Sequence, residues 1–470
     1  MRKLFRAILL LFVIFAISPT SEAASPKYIF YFIGDGMGFG HVQTTEYFCR
    51  FGQNAETPDS LIFLTFPVSS SLQTYSANNL MTCSSAAGTA LACGTKTNNT
   101  FLGVGPEGEH LTSIAEQLRD KGMKIGIITT VAPDDATPGA FYAHQPSRKL
   151  FYQIGKDAAE SNFDFIGGAG LREPNNKNNP SDINLFTYFA DKGYTLCRGI
   201  DGYEQSGKHA DKILLLQADS SKTSSLGYTM DQEENSLTLP FMTKAAIGHL
   251  SKNAKKGFFL MAEGGLIDHA AHINDAGCMV QEILSFNESL KAAYEFYKKH
   301  PKETLIIVTA DHETGGLALG TVDGNNMQHL DYINYQKISK DKLAKIIKNI
   351  LKENKKNSWN EMKEFLKKNF GLWDKIPVNT GEEGDLMKYF QVTFLSKTGI
   401  ETQTLYAHTD QFTEAVFKLI NKKAGIGWTT FSHTGNPVPF YAIGVGAENF
   451  SKPMNNKDIP AILRKLSGIK

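Results

Sequence analysis

The chain has 470 residues, of which 41% are hydrophobic and 21% are charged, and its formal net charge is +1. These values are typical of a globular protein with a buried core and exclude a disordered or fibrous chain. Because the charge is nearly balanced, no global field favours nucleic acid or an anionic membrane as a partner, and any bound anion requires a local site.

The N-terminus predicts a signal peptide over residues 1–23. Arg2 and Lys3 precede an apolar run from Leu4 to Ile17, and the small residues Ser21 and Ala23 stand where a signal peptidase reads the chain. The run is short for a membrane span, so a retained anchor helix is the less favoured alternative. We expect an exported protein without a membrane anchor, either periplasmic or secreted.

Seven apolar runs along the chain are predicted to be β-strands. Most are continuous in polarity rather than alternating, as in strands buried on both faces of a parallel sheet. They are Tyr28–Ile33, Lys124–Thr130, Asp164–Ile166, Ile213–Leu216, Gly257–Ala262, Thr304–Thr309 and Pro439–Gly444. Helix-like stretches such as Leu111–Lys121 and Gln281–Lys299 alternate with them. This alternation predicts an α/β fold, a three-layer α/β/α sandwich with a central, mainly parallel sheet.

One region interrupts the alternation. Residues 338–397 are rich in Lys, Asn and Glu with amphipathic spacing, which is typical of surface helices. We predict a single domain over residues 24–470 with a helical insertion at about 338–397. A solvated helical face is favoured for this insertion over a cap that gates a substrate.

Three of the predicted strands are followed at once by acidic residues. Asp35, Glu263 and Asp311 each stand just after an apolar run, and His312 follows Asp311. Ligand sites of open α/β sheets lie outside the carboxyl ends of the strands, so these side chains are expected in one crevice. A turn or helix-cap role would explain any one acid alone. Clustered carboxylates repel one another unless cations hold them, so the set predicts bound metal.

A further acid and further imidazoles extend this set. Asp268 and His272 are four residues apart, so on a helix they share a face and form a suitable zinc pair. His269 points elsewhere on such a helix and is predicted to lie next to the ligands without binding the metal itself. His433 precedes a Gly/Pro turn and would be a weak candidate alone, but the metal set lacks one ligand.

The candidate ligands divide among three ions. The assignments are Asp268, His272 and His433 for one zinc, Asp35, Asp311 and His312 for a second, and Glu263 with the shared Asp35 for magnesium. Four carboxylates bring four negative charges and three divalent cations bring six positive charges. The surplus of two matches a phosphate dianion.

A small-residue segment offers a nucleophile. Ser84 opens the run 84–92, which predicts a helix whose free N–H groups and positive end favour an anion. A nearby zinc would help the hydroxyl to ionise. An ordinary helix-cap role for Ser84 is an equal alternative at this point. Ser85 and Cys83 are competing nucleophiles, with Cys83 ranked last because a thiolate would bind zinc tightly.

Several motifs follow one another over nearly the whole predicted mature chain. They are Ile33–Gly38, Ser84–Thr97, Asp134–Pro138 with Tyr142–His144 and Arg148, Ala262–His269 with His272, Thr309–His312 and Gly427–Gly435. In this order they closely resemble the alkaline phosphatase family. The resemblance implies hydrolysis of small phosphate monoesters to alcohol and phosphate through a covalent phosphoserine, on a site with two zinc ions and one magnesium ion.

The resemblance also implies the role of each site residue, including Arg148 and Thr137, which no local pattern indicates. Arg148 aligns with an arginine that clamps phosphate oxygens, and Thr137 joins the magnesium ligands. Asp135 and His269 align with positions around phosphate and magnesium. Ser84 aligns with the nucleophile, and the metal ligands align as assigned above. One departure is Cys83, which stands where many members carry Asp.

The sequence is also compatible with other functions. A phosphodiesterase or a sulfatase could use the same fold, because fold alone does not decide function. A cofactor-independent phosphoglycerate mutase fits an exported chain less well. A phosphate- or metal-binding protein on an inactive scaffold is the non-enzymatic alternative, and a homodimer is one assembly that the sequence allows.

Overall fold

The computed structural model describes residues 25–52, 58–321, 328–353, 358–395, 401–406 and 408–469. The signal peptide predicted over residues 1–23 lies outside these ranges and stays a prediction. Within the described ranges, no helix combines the length and the apolar character that crossing a membrane would need.

A ten-stranded sheet forms the centre of the fold. In chain order the described strands are β1 (Tyr28–Ile33), β2 (Val68–Gln73), β3 (Lys124–Thr129), β4 (Phe165–Gly168), β5 (Tyr194–Arg198), β6 (Lys212–Leu216), β7 (Phe258–Glu263), β8 (Thr304–Thr309), β9 (Glu313–Thr314), β10 (Ala318–Leu319), β11 (Thr402–Gln403), β12 (His408–Thr409), β13 (Ile426–Gly427), β14 (His433–Thr434), β15 (Val438–Gly444) and β16 (Met454–Asn455). The order of strands in the sheet is β16-β2-β15-β8-β1-β7-β3-β4-β6-β5, and β15 is antiparallel to both of its neighbours. Three small antiparallel pairs, β9 with β14, β10 with β13 and β11 with β12, lie outside this sheet.

Every residue of the central strands β1, β7 and β8 is buried, since helices cover both faces of the sheet. The described helices are α1 (Phe39–Phe51), α2 (Ser84–Cys93), α3 (Ile114–Asp120), α4 (Ala136–Gly139), α5 (Phe151–Glu160), α6 (Leu185–Asp191), α7 (Gly199–Gln205), α8 (Leu239–Leu250), α9 (Leu266–His272), α10 (Ala276–Lys299), α11 (Lys340–Lys352), α12 (Trp359–Phe370), α13 (Thr380–Leu395), α14 (Gln411–Ala424) and α15 (Asp458–Leu466). The predicted α/β fold with a mainly parallel central sheet is confirmed.

All seven predicted strands are present, with ends that differ by at most two residues. Strand β2 was missed because its sequence, Val-Ser-Ser-Ser-Leu-Gln, is mostly polar and only partly buried. Such a strand is tolerated near the edge of the sheet, where one side has little to cover it. The predicted helix over 281–299 is the C-terminal part of the longer α10.

The region predicted to be a helical insertion contains three helices, and their apolar side chains belong to a second, smaller core. Helices α11, α12 and α13 bury an apolar cluster together with α14, including Leu343, Leu366, Phe390 and Phe412. The buried Lys340 links this cluster to the main domain, because its Nζ donates to the carbonyl of Ile273 at 2.7 Å and to Glu414 Oε2 at 2.9 Å. Ile273 directly follows α9, so the insertion adjoins the helix that carries Asp268 and His272.

Candidate active site and metal centre

The carboxyl ends of β1, β7 and β8 lie side by side. In the pairing register, Ile33 of β1 stands opposite both Glu263 of β7 and Thr309 of β8. Asp35 and Asp311 follow two residues after the ends of β1 and β8. The structure therefore brings these acids, which are distant in sequence, to one edge of the sheet.

A first cluster contains Asp268, His272 and His433, whose ligand atoms lie within 4.8 Å of one another. His272 Nε2 is 3.4 Å from Asp268 Oδ2 and 3.0 Å from His433 Nε2. Asp268 and His272 share one face of α9 because four residues separate them. His433 arrives from β14, a distant part of the chain.

A second cluster contains Asp35, Asp268 and His312, with ligand atoms again within 4.8 Å. His312 Nε2 lies 3.4 Å from Asp35 Oδ1 and 3.2 Å from Asp311 Oδ2. The other oxygen of Asp311 accepts from the backbone N–H groups of Gly36, at 3.1 Å, and His312, at 2.9 Å. Asp268 thus belongs to both clusters, although the sequence assigned it to the first alone.

Backbone carbonyl groups orient two of the imidazoles. His272 Nδ1 lies 2.6 Å from the carbonyl oxygen of Phe431, and His433 Nδ1 lies 2.8 Å from that of Thr82. Because a carbonyl only accepts, each Nδ1 carries a proton, and Nε2 is the nitrogen that faces the cluster. Histidine ligands of metals are commonly held in this way.

Thr314 connects the two clusters and was missed by the sequence reasoning. Its Oγ1 donates to Asp268 Oδ1 at 2.5 Å and lies 3.2 Å from His312 Nδ1. Thr314 belongs to β9, and it pairs with His433 of β14. The available signal was its position two residues after His312, which places both side chains on the same side of an extended chain.

A third group, around Asp35, contains side chains that could bind a metal through oxygen atoms only. Thr137 Oγ1 donates to Asp35 Oδ2 at 3.3 Å, and Glu263 ends β7 opposite Ile33, the last residue of the strand that precedes Asp35. Thr129 Oγ1 donates to Glu263 Oε2 and orients that side chain. Carboxylate and hydroxyl oxygens without nitrogen or sulfur are the ligands that a hard cation prefers.

Burial and mutual repulsion disfavour ionisation of most of these acids. Burial, reinforced first by Asp311, raises the pKa of Asp35 well above its ordinary 3.8. Burial likewise raises the pKa of Glu263 to about 8 and that of Asp311 to about 7. Burial would also raise the pKa of Asp268, but the imidazoles around it, led by His272, bring it below its ordinary value. Several of these acids therefore need added positive charge to ionise together.

The carboxylate oxygens and imidazole nitrogens of this site are suited to binding divalent cations. Asp35 Oδ1, Asp268 Oδ2 and Asp311 Oδ2 are buried without a hydrogen-bond donor in the described part of the chain. Each lies 3.2 to 3.4 Å from the Nε2 of a histidine. Unpaired buried carboxylate oxygens are costly. Cations bound between these oxygens and the imidazole lone pairs would satisfy both.

Ser84 is the first residue of α2, and its buried Oγ lies 3.2 Å from His312 Nε2. The free N–H groups and the positive end of this helix favour negative charge at that point. The competing groups bond elsewhere, since Cys83 Sγ accepts from the N–H of Thr100 at 3.1 Å and lies 3.2 Å from Ser85 Oγ. Among the three candidate nucleophiles Cys83, Ser84 and Ser85, Ser84 is therefore the one whose side chain adjoins the second cluster.

Arg148 lies in the loop before α5 and donates from Nη2 to Asp135 Oδ1 at 3.0 Å. Burial opposes ionisation of Arg148, but the neighbouring Asp135 raises its pKa, so the guanidinium is charged. Asp135 caps α4 and accepts from the N–H of Ala136 at 2.7 Å. Arg172 donates to the other oxygen of Asp135, and no pattern in the sequence marked this residue.

His269 lies beside the first cluster without belonging to it. Its ring stacks on Tyr406 with 3.6 Å between centroids and 24° between planes. Tyr406 also meets the ring of His272 edge-on, at 5.1 Å. Burial lowers the pKa of His269 to about 4, so its ring is neutral. Tyr406 was missed because it comes from the connection between β11 and β12, which has no periodic pattern.

Comparisons with known proteins relate the chain to alkaline phosphatases. A family model described as alkaline phosphatase matches residues 26–469. Alkaline phosphatase 4 of Bacillus subtilis is 31% identical over 456 residues, which cover 95% of this chain and 89% of that protein. The cold-active alkaline phosphatase of a psychrophilic Shewanella species has a similar structure, with a TM-score of 0.77, 27% identity and coverage of 94% of this chain and 100% of that one.

A further structural match concerns metal. A variant alkaline phosphatase from the Antarctic bacterium TAB5, described with Mg bound in its M3 site, matches with a TM-score of 0.65 and 23% identity over 95% of this chain and 99% of that one. At that identity the likeness concerns the fold alone. The family model and the relatives cover nearly the whole described chain, and we conclude that this protein belongs to the alkaline phosphatase family of phosphoric monoester hydrolases.

Proposed function

We propose that this enzyme hydrolyses phosphate monoesters through a covalent phosphoserine on Ser84. The observation that carries the proposal is the 3.2 Å distance between Ser84 Oγ and His312 Nε2, beside buried carboxylate oxygens without donors. A hydroxyl group in that place would adjoin any cation that these oxygens bind. The adjacent helix end would favour the alkoxide and the incoming anion.

We assign three ions to the site. A first zinc would be held by Asp268, His272 and His433, a second by Asp35, Asp311 and His312, and magnesium by Asp35, Thr137 and Glu263. The proximity of Asp268 to the second cluster allows it to influence both zinc positions. When bound, the cations neutralise the carboxylates and stabilise charge on the attacking, leaving and non-bridging oxygens.

The proposed reaction consists of two displacements at phosphorus, the first by Ser84 Oγ and the second by water. The Ser84 hydroxyl group loses its proton to solvent, and Oγ attacks phosphorus while the bond to the alcohol oxygen breaks on the opposite side. The alcohol oxygen leaves and takes a proton from water. A second water then attacks the phosphoserine, loses a proton, and breaks the bond to Oγ, which is reprotonated as phosphate departs.

Arg148 supports a monoester rather than a diester as substrate. A monoester carries one more charged oxygen, and a guanidinium group can bind two phosphate oxygens at once. Comparing hydrolysis of an aryl phosphate, an aryl phosphodiester and an aryl sulfate tests this preference. The monoester is expected to have the highest kcat/KM, and a higher value for either alternative would contradict the assignment.

Ser84→Ala tests the nucleophile. We expect loss of turnover with unchanged zinc and magnesium content, because Ser84 is not among the proposed metal ligands. The wild-type enzyme, quenched in acid with phosphate or substrate, should yield a peptide containing Ser84 with one added phosphoryl group. Ser85→Ala is the matched control and should keep both activity and the labelled peptide. Full activity in Ser84→Ala would rule out the proposed intermediate.

We also propose that the protein is exported and begins near Ala24 after processing. The proposal depends on the basic start and the short apolar run of residues 1–23. Intact-mass analysis of the protein from the periplasm and from the medium tests it. A chain that retains Met1 and stays with the cells would contradict it.

A further inference from the structure

Asp135 stands between two guanidinium groups. Arg148 Nη2 donates to Oδ1 at 3.0 Å, and Arg172 Nη2 donates to Oδ2. Asp135 is 7% exposed, whereas the side chains of Arg148 and Arg172 are 19% and 21% exposed. One buried carboxylate is thus shared by two guanidinium groups.

Arg172 is fixed independently of Asp135. Its guanidinium lies 4.9 Å from the ring centroid of Phe151 on α5. Its backbone N–H donates to Asp134 Oδ2 at 2.8 Å. This backbone bond does not depend on the side chain, so a substitution at position 172 leaves the loop tied to the neighbouring acid.

The presence of a second guanidinium group on Asp135 matters when phosphate binds. When Arg148 turns Nη2 toward phosphate, it gives up its bond to Asp135 Oδ1. If Arg148 were the sole cation on Asp135, this movement would leave a buried carboxylate unpaired, which is strongly unfavourable. Since Arg172 stays on Oδ2, Asp135 keeps a charged partner while Arg148 turns to the substrate.

We infer that Arg172 is a positioning residue of the phosphate clamp: by holding Asp135, it frees Arg148 to bind phosphate oxygens. The inference rests on the proposed role of Arg148. It predicts that Arg172 acts on phosphate affinity through Asp135 and makes no contact with the substrate itself. Its loss should weaken binding of both substrate and product phosphate, with no loss of metal.

The test measures the inhibition constant of inorganic phosphate and kcat/KM on an aryl phosphate, using the full-length, metal-loaded enzyme. Arg172→Met keeps an unbranched apolar side chain against Phe151 without the charge, and Arg172→Lys keeps the charge. We expect Arg172→Met to raise the phosphate inhibition constant about tenfold, the effect of losing one hydrogen bond to a charged group. Arg172→Lys should recover most of that loss, with zinc and magnesium content unchanged throughout.

A double-mutant cycle decides the route of the effect. In an Asp135→Asn background, Arg172→Met should have no additional effect on the phosphate inhibition constant. An unchanged constant in Arg172→Met, an equal loss in the Lys and Met variants, or a full tenfold effect of Arg172→Met in the Asp135→Asn background would each overturn the inference.

Two further variants separate this inference from the proposed function. Arg148→Met must raise the phosphate inhibition constant, and if it does not, the proposed clamp itself is wrong. Arg119→Met is the matched control, since Arg119 contacts Asp120 and the carbonyl of Ser161. It should leave the constant at the wild-type value, and a tenfold rise there would show that the assay reports general loss of arginine and would overturn the inference.

Discussion

Removing the metal should make the free energy of unfolding fall steeply as pH rises. In the folded chain without metal, burial first and neighbouring acids second raise the pKa of Glu263 to about 8 and that of Asp311 to about 7. In the unfolded chain both groups return to ordinary values near 4.5 and 3.8. The folded state therefore holds more protons between those limits, so its stability is complete below about pH 4 and is lost as pH rises through 7 to 8.

The size of this loss follows from the pKa of Glu263. Its displacement from 4.5 to about 8 corresponds to about 5 kcal/mol, at about 1.4 kcal/mol per pH unit. The raised pKa of Asp311 corresponds to a similar loss of free energy of unfolding. The two carboxyl groups share much of the same unfavourable environment, so the two losses do not simply add. We expect a loss of about 5 kcal/mol, a large part of the stability of an ordinary domain.

The assay is urea unfolding of the chelated protein at several values between pH 5 and pH 9, with the metal-loaded protein in parallel. Bound cations neutralise the acids, so the loaded protein should depend much less on pH over this range. Glu263→Gln should reduce the slope of the chelated protein, because the amide keeps an acceptor for Thr129 but does not ionise. The exposed Glu107→Gln is the matched control and should leave the slope unchanged. Stability of the chelated protein that is constant or rises between pH 5 and pH 8 would refute the reasoning.

Two further predictions concern the metal ligands and the insertion. His433→Ala should reduce the zinc content, measured by mass spectrometry, and reduce kcat/KM by at least about 100-fold. The control, His209→Ala at an exposed position, should change neither quantity. A wild-type zinc content in His433→Ala would contradict the ligand assignment. Leu343→Ala should open a cavity in the second core and lower the free energy of unfolding, measured by calorimetry, by about 2–5 kcal/mol. The folded enzyme should keep its activity. The control, Lys345→Ala at an exposed position, should lower the free energy of unfolding by less than about 1 kcal/mol. A loss of activity in Leu343→Ala at temperatures where the protein is folded would show that the insertion core supports catalysis directly.

Local sequence pattern accounts for the sheet and for part of the site. Continuous apolar runs such as Tyr28–Ile33 and Thr304–Thr309 predicted buried parallel strands with the observed bounds. Once the strands are parallel, their carboxyl ends share one edge, so the closeness of Asp35, Glu263 and Asp311 follows from topology. The four-residue spacing of Asp268 and His272 similarly predicted a shared helix face.

Other members of the site leave no local trace in the sequence. Arg172 and Tyr406 stand in irregular segments, where neither a period of 2 nor one of 3.6 marks a residue. Arg148 and Thr137 were reached only through the resemblance to the alkaline phosphatase family. For His433, the Gly/Pro turn beside it gave no reason to prefer a ligand over a structural residue.

By itself, the sequence determined the class of fold, seven of the ten strands of the central sheet, the family and most of the acids and imidazoles proposed as ligands. These depend on short-range periodicity and on motif order, both of which are present along the chain. The tertiary structure alone decided that Asp268 belongs to both clusters, that Thr314 bridges them and that Asp135 is shared by Arg148 and Arg172. Those contacts depend on the pairing of β9 with β14 and on the packing of distant loops, since the side-chain distances that set charge and affinity arise only when such segments meet.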